Sequence, residues 1–161
     1  MGTPIKYYKA TLKPGIPDAD IVVKHEPFDA SIEMYLKTAS ELAVENELVP
    51  ISTLAERLGV STVSATEMVH RLCDRHLLDH TPYKGVALTS DGDRRAHEVI
   101  RRHRLWECFL VEHLGLSWQK VHDSACQLEH ATTDEVAEAL AVFLGEPPTC
   151  PHGNPIPVSY T

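Results

Sequence analysis

The chain has 161 residues, 43% of them hydrophobic and 24% charged, which is typical of a folded globular protein rather than a disordered one. Its formal net charge of −8 disfavours nonspecific binding of nucleic acid by the molecule as a whole. The sequence has no apolar run that could span a bilayer, and residues 1–13 lack the apolar core of a signal peptide. We therefore expect a cytoplasmic protein without a membrane partner, in which four scattered cysteines stay reduced.

The N-terminal region predicts an arm followed by a helix. Residues 1–24 contain three prolines and two glycines and predict an extended arm, with one short strand at 20–24. From Ala30 onward, apolar residues at positions 34, 36, 39, 42 and 43 share one helical face. This spacing predicts an amphipathic helix with Asp29 or Ser31 as its N-cap.

A helix-turn-helix pattern comes next. Residues 52–58 predict a short helix with Ser52 as N-cap, and Gly59 ends it. A tight turn then leads to a second helix, which begins at Ser61 or Thr62 and ends near His76.

Two short strands complete this half of the chain. Residues 77–80 and 86–89 carry the strand pattern, and Tyr83-Lys84-Gly85 forms the turn between them. Two helices followed by such a hairpin predict a winged helix-turn-helix.

The second half of the chain predicts helices alone. Three helices are predicted, at residues 90–114, 118–130 and 133–144. Gly115 separates the first helix from the second, and Thr133 is the N-cap of the third. The segment from Pro147 onward holds five prolines and predicts irregular structure. We expect a mostly α protein, with an N-terminal winged helix-turn-helix followed by an all-helical domain. The predicted division is an arm at 1–24, a DNA-binding domain at 25–97 and a helical domain at 98–161.

The second helix of the helix-turn-helix supplies the candidate DNA-binding residues. Hydroxyl groups at its N-terminal end can reach phosphates and base edges in the major groove, and basic residues can contact the backbone. Glu67 either accepts from a cytosine amino group or repels phosphate. The candidate set is Ser61, Thr62, Ser64, Thr66, Glu67, Arg71 and, on the wing, Lys84.

A ten-residue run at 121–130 carries the strongest chemical signal. On a helix, Cys126, Glu129 and His130 lie at i, i+3 and i+4 and share one side, with His122 one turn earlier. Thiolate, carboxylate and imidazole together are ligands for a divalent metal. His103 and Glu107 repeat the i, i+4 spacing upstream. Taken singly, each has an ordinary explanation, such as a buried cysteine or a solvated His–Glu pair.

The ordered set of these fragments resembles the diphtheria toxin repressor family of metal-dependent transcriptional regulators. The resemblance covers about residues 27–157. It implies a homodimer that binds a palindromic operator when a metal corepressor is present. The fragments that carry it are Glu33-Met34-Tyr35-Leu36, the helix-turn-helix, Val86-Ala87-Leu88-Thr89, His103-Arg104-Leu105, the run at 121–130 and Gly153-Asn154-Pro155-Ile156-Pro157.

The resemblance also implies two metal sites. The ligands of the regulatory site would be Met34, Cys126, Glu129 and His130. The ancillary site would use His103, Glu107 and His122, with Arg104 and Asn154 holding an anion beside it. Larger members add ligands from a C-terminal SH3-like domain, whereas this chain stops at Thr161 and has Cys150 where they have serine. The ancillary site is therefore expected to be incomplete, or closed by water or an anion.

Two ligand positions bear on the identity of the metal. Manganese-selective members have carboxylates where this chain has Met34 and Cys126, and soft sulfur ligands suit iron(II), cobalt(II), nickel(II) or zinc(II) better than manganese(II). Lys37 also replaces a carboxylate of the manganese type. We therefore predict an iron(II)-activated repressor of metal-uptake or homeostasis genes.

The residues leave other functions to consider. A regulator of the same fold could respond to manganese or zinc, or to oxidation of Cys126 or Cys150 instead of a metal. An enzyme with Cys126 and His130 as nucleophile and base is disfavoured, because no oxyanion-hole glycines or substrate loop accompany them. We expect the chain not to be an enzyme.

Overall fold

The computed structural model describes residues 30–44 and 47–159. The predicted arm, its strand and the cap at Asp29 lie outside these ranges. The described ranges contain α1 (Ala30–Leu42), α2 (Ile51–Leu58), α3 (Thr62–Asp74), β1 (Leu78–Thr81), β2 (Gly85–Leu88), α4 (Ser90–Glu112), α5 (Val121–Ala131) and α6 (Asp134–Phe143). The predicted fold class, mostly α with a winged helix-turn-helix first, is confirmed.

The helix-turn-helix consists of α2 and α3, packed against α1. Gly59 ends α2 in the left-handed conformation with φ 67°, as predicted. Ser61 caps α3 by accepting a hydrogen bond from the Ser64 amide at 3.1 Å. The predicted cap at Ser52 is wrong, because α2 begins one residue earlier and Pro50, in extended conformation, takes the N-cap position without a side-chain bond.

The wing is the antiparallel pair β1 and β2, in a register that sets Leu78 opposite Leu88. Each strand is displaced by about one residue from its predicted position. Val49 adds a bridge to the outer side of β2 through two backbone hydrogen bonds of 2.8 Å with Val86. Gly85 is required at this crossing because a Cβ there would lie 2.3 Å from the Val49 carbonyl oxygen.

The central helix α4 belongs to both halves of the molecule. Its first turn is capped by Thr89, and Ala96 lies in the hydrophobic core formed with α1 to α3 and the wing. Further along, Leu105 and Cys108 pack against α6 and the C-terminal segment, and Leu110 packs against α5. A single rigid helix therefore carries both cores.

Two helix ends differ from the prediction in the second half. α4 ends at Glu112 rather than at residue 114, and α5 begins at Val121 rather than at Trp118. Residues 118–120 form a turn instead, closed by a hydrogen bond from the Lys120 amide to the Ser117 carbonyl. The irregular segment after α6 is confirmed, with one bridge between Thr149 and Pro155. Within the described ranges, no helix combines the length and the apolar character needed to cross a membrane.

Candidate metal centre and nucleic-acid interface

α5 presents ligand-type side chains toward α4. The Cys126 sulfur lies 3.6 Å from His122 Nε2 and 3.8 Å from His103 Nδ1, and the ligand atoms of these three residues all lie within 4.8 Å of one another. Two imidazoles and a thiol at this separation fit a divalent transition metal such as iron(II), cobalt(II), nickel(II) or zinc(II).

Glu129 is the buried anion of the centre, with no exposed surface. Its carboxylate accepts two hydrogen bonds from the Lys37 ammonium on α1, at 3.0 and 3.2 Å. It also lies 2.6 Å from His103 Nδ1 on α4 and 3.2 Å from His130 Nε2 on its own helix. A buried carboxylate is stable only when it is paired in this way.

A second contact joins α1 to α5. The Glu33 carboxylate lies 2.6 Å from His130 Nδ1, and both side chains are mostly buried. Arg102 of α4 approaches the same carboxylate at 3.7 Å and bonds to Asp134 at 2.7 Å. The first helix of the DNA-binding half is therefore tied to α5 through Glu33 and Lys37, one helical turn apart.

Protonation in this centre follows from its hydrogen bonds. Burial alone would lower the pKa of His103, but hydrogen bonds to Cys126, Glu107 and Glu129 outweigh it and raise the pKa to about 10. Burial would raise the pKa of Glu107, but the hydrogen bond and charge of His103 lower it to about 2. His103 is therefore an imidazolium at neutral pH, held between two carboxylates.

The structure brings most of the predicted ligands together, although not in two separate groups. Cys126, a predicted ligand of the regulatory site, lies beside His103 and His122, which are predicted ligands of the ancillary site. Glu107 bonds to His103 Nε2 at 3.0 Å and lies 3.9 Å from His122 Nδ1. Met34 is half-buried on α1, next to Glu33. The division of these residues between two sites stays a prediction.

The two predicted anion-binding residues lie at the C-terminal segment. Arg104 donates a hydrogen bond to the Pro155 carbonyl, and the Asn154 carbonyl accepts from the Cys150 amide at 2.9 Å. Arg104 therefore helps to hold this segment against α4, Asn154 shapes the turn within the segment, and the role of both toward an anion stays a prediction.

The predicted DNA-binding residues lie at the N-terminal end and along one side of α3 and on the wing. All are exposed except Thr66, which is half-buried. Some hydroxyls have internal partners, since Ser61 Oγ bonds to Ser64 Oγ at 2.9 Å and Thr66 Oγ1 donates to the Thr62 carbonyl at 2.7 Å. These bonds hold the helix terminus in shape, and hydroxyl groups of this kind are among the donors that bond to phosphate in protein–DNA complexes.

Sequence reasoning missed several residues of both sites. Val63 on α3 is 70% exposed, and Tyr83 at the wing tip is fully exposed. The candidate set contains only polar and charged residues of this region and therefore omits both. An exposed valine there suits contact with a thymine methyl group. Helical spacing also does not indicate the carboxylate of Glu33, one residue before Met34, or the imidazole of His152, near the end of the chain.

Two family models match the chain. One, described as the iron-dependent repressor N-terminal DNA-binding domain, matches residues 28–86. The other, described as the iron-dependent repressor metal-binding and dimerisation domain, matches residues 89–158. The chain belongs to the iron-dependent repressor family. The junction at 86–89 falls between β2 and α4, whereas the predicted boundary after residue 97 falls inside α4.

Similar proteins extend this result. The chain is 41% identical over 125 residues to a diphtheria toxin repressor of Corynebacterium jeikeium, covering 78% of this chain and 52% of that protein. It is 38% identical to an iron-dependent repressor of Mycobacterium leprae, covering 54% of it. The chain thus spans about half the length of the curated relatives it matches.

Solved structures share the fold. A manganese-dependent transcriptional repressor in complex with manganese superposes with a TM-score of 0.73 at 41% identity, covering 80% of this chain and 59% of that one. A hypothetical protein from Sulfolobus solfataricus superposes with a TM-score of 0.65 at 29% identity. The match covers 78% of this chain and 96% of that one. A protein of similar extent therefore has the same two-part architecture.

Proposed function

We propose that this chain is a metal-activated transcriptional repressor that binds operator DNA as a homodimer, with iron(II) as the preferred corepressor. The observation that carries the proposal is the pair of contacts between α1 and α5, from Lys37 to Glu129 and from Glu33 to His130. They join the ligand-bearing helix directly to the half that contains the helix-turn-helix. Occupancy of the centre can therefore act on the orientation of α3.

The residues that would hold the metal are Met34, Cys126, Glu129 and His130, with His103, Glu107 and His122 in an ancillary site. When bound, a divalent cation supplies two positive charges and directional bonds to sulfur, nitrogen and oxygen. In the structure, the positive charges beside Glu129 are those of Lys37 and His103, which bond to its carboxylate. To free Glu129 as a ligand, the Lys37 ammonium must leave and His103 must lose its proton.

The ligand set favours iron(II) over manganese(II). Cys126 supplies a soft sulfur ligand beside two imidazoles, and Lys37 places a positive charge where a second carboxylate would favour a hard cation. A similarity at 41% identity to a manganese-dependent repressor keeps manganese(II) as the alternative to be tested beside zinc(II), cobalt(II) and nickel(II).

Exposed apolar side chains in the helical half support the homodimer. Leu114, Trp118, Val142 and Phe143 are each more than half exposed, although large apolar side chains are usually buried. A second copy of the chain would cover these side chains. Two α3 helices about 34 Å apart would then match successive major grooves of a palindromic operator, in the cytoplasm where the DNA lies.

The test is DNA binding by fluorescence anisotropy under anaerobic conditions, first in chelator and then with iron(II), manganese(II) or zinc(II). The probe is a palindromic fragment from the promoter of its own gene. We expect metal to tighten DNA binding by roughly 5- to 150-fold, which corresponds to about 1–3 kcal/mol of coupling.

The matched variants are Cys126→Ala and Cys73→Ala. Cys126→Ala should abolish the metal dependence, whereas Cys73, half-buried on α3, lies outside the metal centre and its variant should keep it. Equal affinity in chelator and in iron(II) would refute the metal switch. Loss of binding on thiol oxidation, with no effect of metal, would instead support the redox alternative.

A further inference from the structure

Glu67 lies in the middle of the exposed face of α3. Val63, one turn before it, and Arg71, one turn after it, are also exposed, whereas Ala65 and Val69 on the opposite face are buried in the core. The i, i+4 and i+8 spacing places the three exposed side chains in a row about 12 Å long. In a helix-turn-helix protein, the second helix lies in the major groove of DNA. A carboxylate would therefore lie among the base edges.

The carboxylate of Glu67 has no partner within the protein. Its side chain makes no hydrogen bond or ion pair with any residue that the structure describes, although Arg71 has the i, i+4 spacing of a helical salt bridge. The neighbouring hydroxyl of Thr66 differs, because it donates its proton to the Thr62 carbonyl at 2.7 Å. Glu67 thus presents a free acceptor on this face, and no contact in the described part of the chain explains an acidic residue there.

The hydrogen-bonding capacity of a carboxylate matches one base better than the others. An ionised carboxylate can only accept hydrogen bonds. In the major groove, guanine presents two acceptors, thymine an acceptor and a methyl group, and adenine an amino donor beside the N7 acceptor. Cytosine presents its N4 amino group as a donor and has no acceptor of its own there. A carboxylate in the groove therefore favours cytosine.

The negative charge of Glu67 also acts against binding at other sequences. Affinity for any DNA comes largely from cations that neutralise phosphates, so an anion at the interface lowers the affinity for all sequences. A hydrogen bond to cytosine offsets this repulsion at one base only. Glu67 thus increases the difference in affinity between operator and nonspecific DNA, in the same direction as the net charge of −8.

We propose that Glu67 is a specificity-determining residue, which selects a cytosine in each half of the operator by accepting a hydrogen bond from its N4 amino group. The proposal rests on the proposed function in that α3 must bind DNA. It does not require that a metal controls this binding.

The test begins with selection of binding sites from a random duplex library by the full chain, in parallel with cobalt(II) and in chelator. Fluorescence anisotropy then measures the affinity for the selected site with each base pair of both half-sites changed in turn. We expect one position per half-site at which cytosine binds at least about fivefold tighter than any other base. Glu67→Gln should shift the preference at that position to adenine, because glutamine pairs with the adenine N6 and N7 atoms.

A second probe removes the amino group alone. Replacing the selected cytosine with 2-pyrimidinone deletes N4 and keeps the ring. This replacement should weaken binding by the wild type at least about fivefold more than binding by Glu67→Ala, and the altered base pairing is common to both measurements. Glu56→Gln, at an exposed position on α2, makes the same change of charge as Glu67→Gln and is the matched control. It should keep the cytosine preference.

Two results would overturn the proposal. In one, Glu67→Gln raises the affinity for every sequence by the same factor and keeps the wild-type sequence preference, so that Glu67 only repels phosphate. In the other, 2-pyrimidinone weakens binding by the wild type and by Glu67→Ala equally.

This proposal and the proposed function fail separately. If affinity is equal in chelator and in cobalt(II), and Glu67→Gln loses the cytosine preference, the base selection stands and the metal switch falls. If metal-dependent binding is intact and Glu67→Gln keeps the cytosine preference, the converse holds. A chain that selects no DNA in either condition would overturn both.

Discussion

Lys37 offers the sharpest test of the charge balance in the metal centre. Its side chain is 4% exposed, and the ammonium lies 3.0 Å from the Glu129 carboxylate, 3.2 Å from His103 Nδ1 and 3.9 Å from the Cys126 sulfur. An immobilised cation thus lies among the residues proposed to bind a metal. Lys37→Met keeps the unbranched apolar part of the side chain and removes the ammonium group with its charge and hydrogen bonds.

The expected size of the effect follows from the burial of the pair. Removing one partner of a buried ion pair costs about 3–5 kcal/mol, because an unpaired charge stays behind. Glu129 keeps the His103 imidazolium at 2.6 Å, so we expect the metal-free protein to lose a smaller amount, about 2–3 kcal/mol. At roughly 3 °C per kcal/mol for a chain of this size, Tm in chelator should fall by about 6–9 °C.

The same substitution should tighten metal binding. The metal-bound state does not depend on the Lys37–Glu129 bond, so the 2–3 kcal/mol lost by the metal-free state should reappear as a gain in affinity of roughly 30- to 150-fold. Thermal unfolding in chelator and cobalt(II) competition with a chromophoric chelator measure the two effects. Lys120→Met, at an exposed position, is the matched control. If Lys37→Met weakened metal binding as well as stability, Lys37 would support the site rather than compete for it, and the reasoning would be refuted.

Three further predictions concern pH and the backbone around α4. In chelator, urea unfolding should show maximal stability at about pH 5–6, and a flat profile would contradict this. The pKa of His103 is raised to about 10, so its contribution to stability is complete below its ordinary pKa of 6.5 and is lost as pH rises toward 10. The pKa of Glu107 is lowered to about 2, so its contribution to stability is lost as pH falls below 4.5. Thr89→Ala should cost about 1–2 kcal/mol, because the Thr89 hydroxyl accepts from the Gly92 amide at 3.0 Å, and Thr89→Ser should recover most of the loss in the same assay. Gly92→Ala should cost more than about 2 kcal/mol, because a Cβ would lie 1.9 Å from the Leu77 carbonyl oxygen; a wild-type urea midpoint would refute that close approach.

Much of the fold is predictable from local sequence. Gly59 and Thr133 end and begin helices where their chemistry predicts, because a left-handed cap and a hydroxyl N-cap depend only on neighbouring residues. The errors also have local causes. Local spacing predicts Trp118 inside α5, but its turn is stabilised by a long-range hydrogen bond that the Trp118 carbonyl accepts from His152, and local sequence does not indicate such a bond.

The candidate site was predictable only in part for the same reason. Helical spacing finds Cys126, Glu129 and His130, since all three lie on one helix. It cannot show that Glu33 reaches His130 across 97 positions of sequence, or that His152 reaches Glu107. Those contacts depend on how α1 and the C-terminal segment pack on α4, which is a property of the whole fold.

The arrangement of the helices limits what a metal can change. α4 runs from the core of the DNA-binding half, at Gly92, to the proposed ligand His103, a distance of about 16 Å along one rigid helix. The two halves are therefore joined with or without a metal, and a metal is not needed to hold them together. Among the described polar contacts, Glu33 and Lys37 link α1 to α5. Ligation by Glu129 would displace Lys37, whereas the bond from His130 Nδ1 to Glu33 can persist while Nε2 binds the metal, so the change would reach α1 through Lys37 and pass to α2 and α3. By linkage, operator DNA that prefers the rearranged state must raise the metal affinity by the same factor by which the metal raises the affinity for DNA.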